Sequence, residues 1–96
     1  MNNDFNIKSA VVDEKEHIEL GKFYFLNNKY DEAIYEFKKV LEINSRNAEA
    51  YYNIGLIKEA SNLVEEAKEM YLKALHIDPN YKIVRDKFNK LVGIEI

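Results

Sequence analysis

Shifted by 34 residues (position 55 less position 21), this chain overlays on itself without a gap. Gly21 falls on Gly55, Asn28 on Asn62, Glu32 on Glu66 and Ala33 on Ala67. Further along, Lys39 falls on Lys73, Leu41 on Leu75 and Ile43 on Ile77. Other pairs keep their character, as with Leu20 and Ile54, Asp31 and Glu65, or Phe37 and Tyr71. A period of this length marks a repeat architecture, in which each copy is one supersecondary unit that cannot bury its apolar face alone.

Each copy has a helical pattern. Leu20, Phe23 and Tyr24, then Ala33, Ile34, Phe37, Val40 and Leu41, recur at the three- and four-residue steps of a helix face. Ile54 and Ile57, then Ala67, Met70, Tyr71, Ala74 and Leu75, repeat the scheme. Asn27-Asn28 and Ser61-Asn62 punctuate the two hairpins, and Asn tolerates the left-handed conformation that closes a helix. Asn44-Ser45-Arg46-Asn47 and Asp78-Pro79-Asn80 separate the larger units, with Pro79 suited to the start of a helix but not its interior. The pattern predicts helices over residues 10–27, 30–43, 47–61, 64–77 and 81–92, consecutive ones antiparallel, and no sheet. Only 3 Gly and 1 Pro supply turns, which suits few helices and short loops.

In the first copy the spaced residues are His17, Leu20, Gly21 and Tyr24, then Ala33 and Phe37. In the second they are Tyr51, Ile54, Gly55 and Lys58, then Ala67, Tyr71 and Pro79. On these positions the chain resembles the tetratricopeptide repeat across roughly residues 14–92. The resemblance implies an all-α fold, a right-handed superhelix of antiparallel helical hairpins (an α-α solenoid) with about five helices. It implies a single domain: an N-terminal segment at 1–12, repeats at 14–47 and 48–81, and a capping helix at 82–93. Gly21 and Gly55 are expected where one helix passes close to its partner, opposite Ala33 and Ala67, with Leu20, Tyr24 and Phe37 filling the space around. Three departures in the first copy, His17, Val40 and Ser45, predict that it packs less ideally than the second. Phe88 is expected to anchor the cap, and Gly93 to end it. Phe5, Ile7, Val11 and Val12 are candidates to cover the open N-terminal end or to contact another chain.

Little in the sequence suggests catalysis. There is no Cys, hence no disulfide and no thiolate site. His17 and His76 lie on different predicted helices without an i, i+4 partner, and His76 suits a helix C-terminus. Ser9, Ser45 and Ser61 read as boundary residues and none sits in a nucleophile elbow. Paired carboxylates such as Glu65-Glu66 read as solvated helix starts. No enzyme activity, cofactor or metal is expected. A formal net charge of −3 gives nucleic acid no global attraction, although a related helical-hairpin repeat binds RNA. No secretory leader or membrane span is visible, so a cytoplasmic location without membrane association is expected.

The resemblance further implies a concave groove lined by the first helix of each hairpin. Its expected members are Ile18, Lys22 and Phe25 from the first copy, Tyr52, Asn53, Leu56 and Glu59 from the second, and Lys87 and Lys90 from the last helix, with Asp86 beside them. An apolar strip edged by Asn and Lys suits a peptide or helical segment of a partner protein. Family members that clamp the free carboxylate of chaperone tails use Lys, Asn and basic residues. The matching places here hold Ile18, Lys22, Asn53, Ile83 and Lys87, and the two isoleucines argue against that ligand. Self-assembly through the incomplete ends of the stack is the alternative role, with a weak homo-oligomer as its signature.

Overall fold

The computed structural model describes the backbone of residues 3–93 and the side chains of residues 13–93. Among the described residues there are five helices and no strand: α1 (Asn3–Leu26), α2 (Tyr30–Ile43), α3 (Ala48–Ala60), α4 (Val64–Ile77) and α5 (Lys82–Val92). The chain divides into two compact units, residues 1–45 and 46–96. The first holds the α1–α2 hairpin. The second holds the α3–α4 hairpin with α5 packed on α4.

Both hairpin turns are the same device. Asn28 and Asn62 take φ of 60° and 64°. After α1, the Lys29 amide donates to the Tyr24 carbonyl at 2.8 Å and the Asn28 amide to the Phe25 carbonyl at 3.0 Å. After α3, Leu63 donates to Lys58 at 2.8 Å and Asn62 to Glu59 at 3.0 Å. This paired closure satisfies carbonyls that the helix end leaves open, and it needs one left-handed residue, which Asn provides. Asn47 caps α3 by accepting the Ala50 amide at 2.9 Å. Gly93, at φ 84°, closes α5.

Within each unit a glycine meets an aromatic ring. A Cβ on Gly21 would lie 2.6 Å from Phe37 Cε1, and one on Gly55 would lie 2.4 Å from Tyr71 Cε1. The ring occupies the place of the missing side chain, so each hairpin closes tightly. Phe37, Ala33 and Val40 on α2 are fully buried, as are Tyr71, Ala67 and Ala74 on α4 and Val84 on α5. Val40 is thus accommodated where the second copy has Ala74.

Three expectations need correction. Helix α1 begins at Asn3 and runs through Ser9, because no Gly or Pro interrupts residues 3–20. Leu20 is 39% exposed and does not help fill the close contact. Phe88 is only half-buried, so its removal will cost less than a fully buried ring. Glu36 is 8% exposed, and its carboxylate bonds His17 Nδ1 at 2.6 Å. The side chains of Phe5, Ile7, Val11 and Val12 lie outside the described residues.

The His17–Glu36 pair bridges α1 to α2 where the second copy has Tyr51 and Met70. His17→Ala would leave a buried carboxylate without its partner, a loss of about 1–3 kcal/mol. Replacing both, His17→Tyr with Glu36→Met, restores the apolar pair of the other copy. Apolar replacement of a buried polar pair is often neutral or stabilising. Urea melts should therefore show a destabilised single variant and a double variant at or above wild type.

Candidate functional site

The clearest cluster of polar and aromatic groups lies in the second unit, where α3 and α5 meet α4. Tyr52 and Leu56, one turn apart on α3, pack against the buried Ala67, Tyr71, Ala74 and Val84, as do Tyr81, Phe88 and Leu91. The Tyr52 ring centroid is 6.1 Å from that of Tyr71 and 5.6 Å from that of Tyr81, both tilted. Such tilted contacts suit the ring quadrupoles. The Tyr71 hydroxyl donates to Glu59 Oε1 at 2.7 Å, and Lys87 Nζ stands 3.8 Å from the same oxygen. One carboxylate therefore ties α3 to α4 and α5.

This arrangement acts on the phenols. Burial, then the hydrogen bond to Glu59 and its negative charge, push the Tyr71 pKa far above the ordinary 10.0. Tyr52 is raised by burial and then by Glu59, and Tyr81 by burial and then by the negative charge of Glu49. A phenol whose folded pKa is raised contributes stability that is complete below the unfolded value and is lost as pH climbs from about 10 toward the folded one. The melting temperature should thus fall above about pH 10. Tyr71→Phe, which cannot ionise, should fall less steeply over that window, as followed by circular dichroism melts.

The groove residues expected from the sequence occupy different environments. In the first unit Ile18 is 5% exposed, Lys22 pairs with Glu19 at 3.8 Å, and the Phe25 ring lies 5.6 Å from Tyr30. In the second unit α3 and α5 bring Tyr52, Leu56, Glu59 and Lys87 together. Lys90 is exposed on α5. Glu59 is engaged by Tyr71 and Lys87, an internal tie that the sequence reading missed. Asn53 is 5% exposed, and its Nδ2 is buried without a hydrogen-bond acceptor among the described residues. Native interiors seldom leave such a donor unpaired.

Elsewhere in the second unit Tyr51, Leu72, Lys73, His76 and Ile77 line a shallow apolar depression, with Lys73 Nζ 5.8 Å from the Tyr51 ring centroid. Among the described residues no group of three or more His, Asp or Glu is placed to hold a metal ion, and no helix is long and apolar enough to cross a membrane.

Comparison with known proteins adds the following. A model of the TPR repeat matches residues 21–62, and one of the tetratricopeptide repeat matches residues 48–81. The chain is 32% identical to the peroxisomal targeting signal receptor of Candida albicans over 80 residues, which is 83% of this chain and 13% of that protein. It is 34% identical to the ycf37 protein of Guillardia theta over 74 residues, which is 77% of this chain and 42% of that protein. The chain thus spans less than half the length of these relatives. Among solved structures, the C-terminal TPR-containing domain of a Plasmodium falciparum FK506-binding protein superposes with a TM-score of 0.81 at 28% identity, covering 97% of this chain and 62% of that one. The first TPR of Spaghetti (RPAP3), solved with an HSP90 peptide, superposes with a TM-score of 0.55 at 22% identity, covering 90% and 92%.

Proposed function

Because the chain belongs to the tetratricopeptide repeat family, a protein-interaction fold, we propose that it binds a peptide segment of a partner protein on the α3–α5 face of its second unit. The observation that carries this reading is the buried, unpaired Nδ2 of Asn53, one residue from Tyr52 and three from Leu56 on α3. A backbone carbonyl of an extended segment is the acceptor that this amide lacks. Tyr52 and Leu56 offer apolar contact beside it, and Lys87 and Lys90 favour an acidic side chain at the margin. Lys22 and Phe25, together with the buried Ile18, are the first-unit counterparts of Leu56, Glu59 and Tyr52.

The Spaghetti (RPAP3) neighbour binds an HSP90 peptide, and its likeness to this chain is one of fold. Ile18 and Ile83 stand at two of the places where a carboxylate clamp needs polar or basic side chains, so we infer a different ligand.

The test is a peptide selected on the wild-type protein from a random phage-displayed library, then titrated calorimetrically. Tyr52→Ala, Asn53→Ala and Leu56→Glu should each weaken it by about tenfold or more, since a few anchors dominate such interfaces. Lys38→Ala, on an exposed position of α2, should leave it unchanged. Circular dichroism must show retained helicity, because Tyr52 also supports the unit's core. Normally folded variants with unchanged affinity would remove the α3–α5 face from consideration.

A further inference from the structure

The same register position meets two fates in the two repeats. On α3, Ala50, Ile54 and Ile57 are 0%, 4% and 1% exposed. Their counterparts 34 residues earlier on α1 are Glu16, Leu20 and Phe23, and the two apolar ones are 39% and 58% exposed. Leu26, 81% exposed, prolongs the stripe by a turn. The repeat therefore places large apolar side chains on a packing surface in both copies, and on α1 that surface is open. Its border is acidic, with Asp13, Glu16 and Glu19 all exposed.

Helix α5 carries the complement. It holds Lys82, Arg85, Lys87 and Lys90 against a single acid, Asp86. Ile83 is 53% exposed, and Lys87 and Lys90 follow it at the i+4 and i+7 positions of the same helix face. Under the 34-residue shift, α5 is the third helix of the series that contains α1 and α3.

We propose that the open α1 face receives the outer face of α5 from a second copy of this chain, a head-to-tail contact. Phe23 and Leu20 cover Ile83, and the acidic border of α1 meets the lysines of α5. The contact is heterologous, so one copy uses its head and the other its tail. Lys87 and Lys90 are shared with the peptide reading above, whereas Leu20, Phe23 and Ile83 belong to this contact alone.

Sedimentation equilibrium of the full chain tests it. Average mass should rise with concentration and fall back as salt is added, because exposed charges are screened. Phe23→Lys spoils the head and Ile83→Glu spoils the tail. Each alters a side chain more than half exposed, so each should keep wild-type helicity. Alone, each variant should associate at least about tenfold more weakly, a difference near 1.4 kcal/mol. Mixed in equal amounts they should form a dimer and nothing larger, since one intact head meets one intact tail. A wild-type chain that stays monomeric to about 1 mM overturns the proposal, as that bounds the contact to millimolar affinity. So does a mixture that remains monomeric while wild type associates, which would assign the contact to a symmetric or different face.

Discussion

Phe37→Ala is expected to lower the unfolding free energy by about 3–5 kcal/mol, the usual cost of deleting a fully buried ring. Phe37 has no exposed surface, and its ring tip sits over the bare backbone of Gly21. Removing it opens a void that a glycine backbone cannot fill, since nothing on α1 at that point can move inward except the helix itself. For a domain of this size, a loss of that magnitude lowers the melting temperature by more than about 10 °C. Thermal and urea melts of the full chain would show it. A loss under about 1 kcal/mol would mean that α1 collapses onto α2, against the rigid close approach described here.

Gly55→Ala is the complementary experiment, and its sign is informative. In a helix interior, alanine is ordinarily favoured over glycine by about 1 kcal/mol. Here the new Cβ would lie 2.4 Å from Tyr71 Cε1, closer than carbon atoms can approach. Tyr71 is fully buried and its hydroxyl is held by Glu59, so the ring has no free direction in which to swing. The overpacking should outweigh the propensity and leave a net loss near 3 kcal/mol, the upper end of the usual range. Tyr71→Leu in the same background should recover part of that loss, because it removes Cε1 and Cζ, two of the three ring atoms in the way. The double-mutant cycle then measures the coupling between the two positions. A Gly55→Ala protein more stable than wild type would contradict the packing.

Much of the fold was legible because the two copies check each other. Residues 30–43 and 64–77 were read as helices at their observed ends, since Asn28 and Asn62 mark the same turn twice. Helix α1 was read too short, because its first turns lie outside the repeat and have no second copy to be compared with. The His17–Glu36 bond escaped notice because no spacing rule links residues on two different helices. A signal existed nonetheless: both positions depart together from the apolar Tyr51 and Met70 of the other copy. Of the candidate site, the sequence singles out Tyr52, Asn53 and Leu56 on α3 as expected groove residues. It could not foresee that Glu59 would be spent on Tyr71 and Lys87, or that the Asn53 amide would be left unpaired, because both depend on side-chain packing.

The tyrosine cluster also gives this molecule an optical property. The chain has 7 Tyr and no Trp, so all of its near-ultraviolet emission above the weak phenylalanine band comes from phenols. A phenol bonded to a carboxylate emits poorly, because the excited hydroxyl passes its proton to the acceptor, and Tyr71 is in that position beside Glu59. The Tyr52 ring lies 6.1 Å from Tyr71 and 5.6 Å from Tyr81, close enough for excitation to migrate along the three rings. Whatever displaces Glu59 or shifts α5 should therefore brighten the emission, without any attached dye.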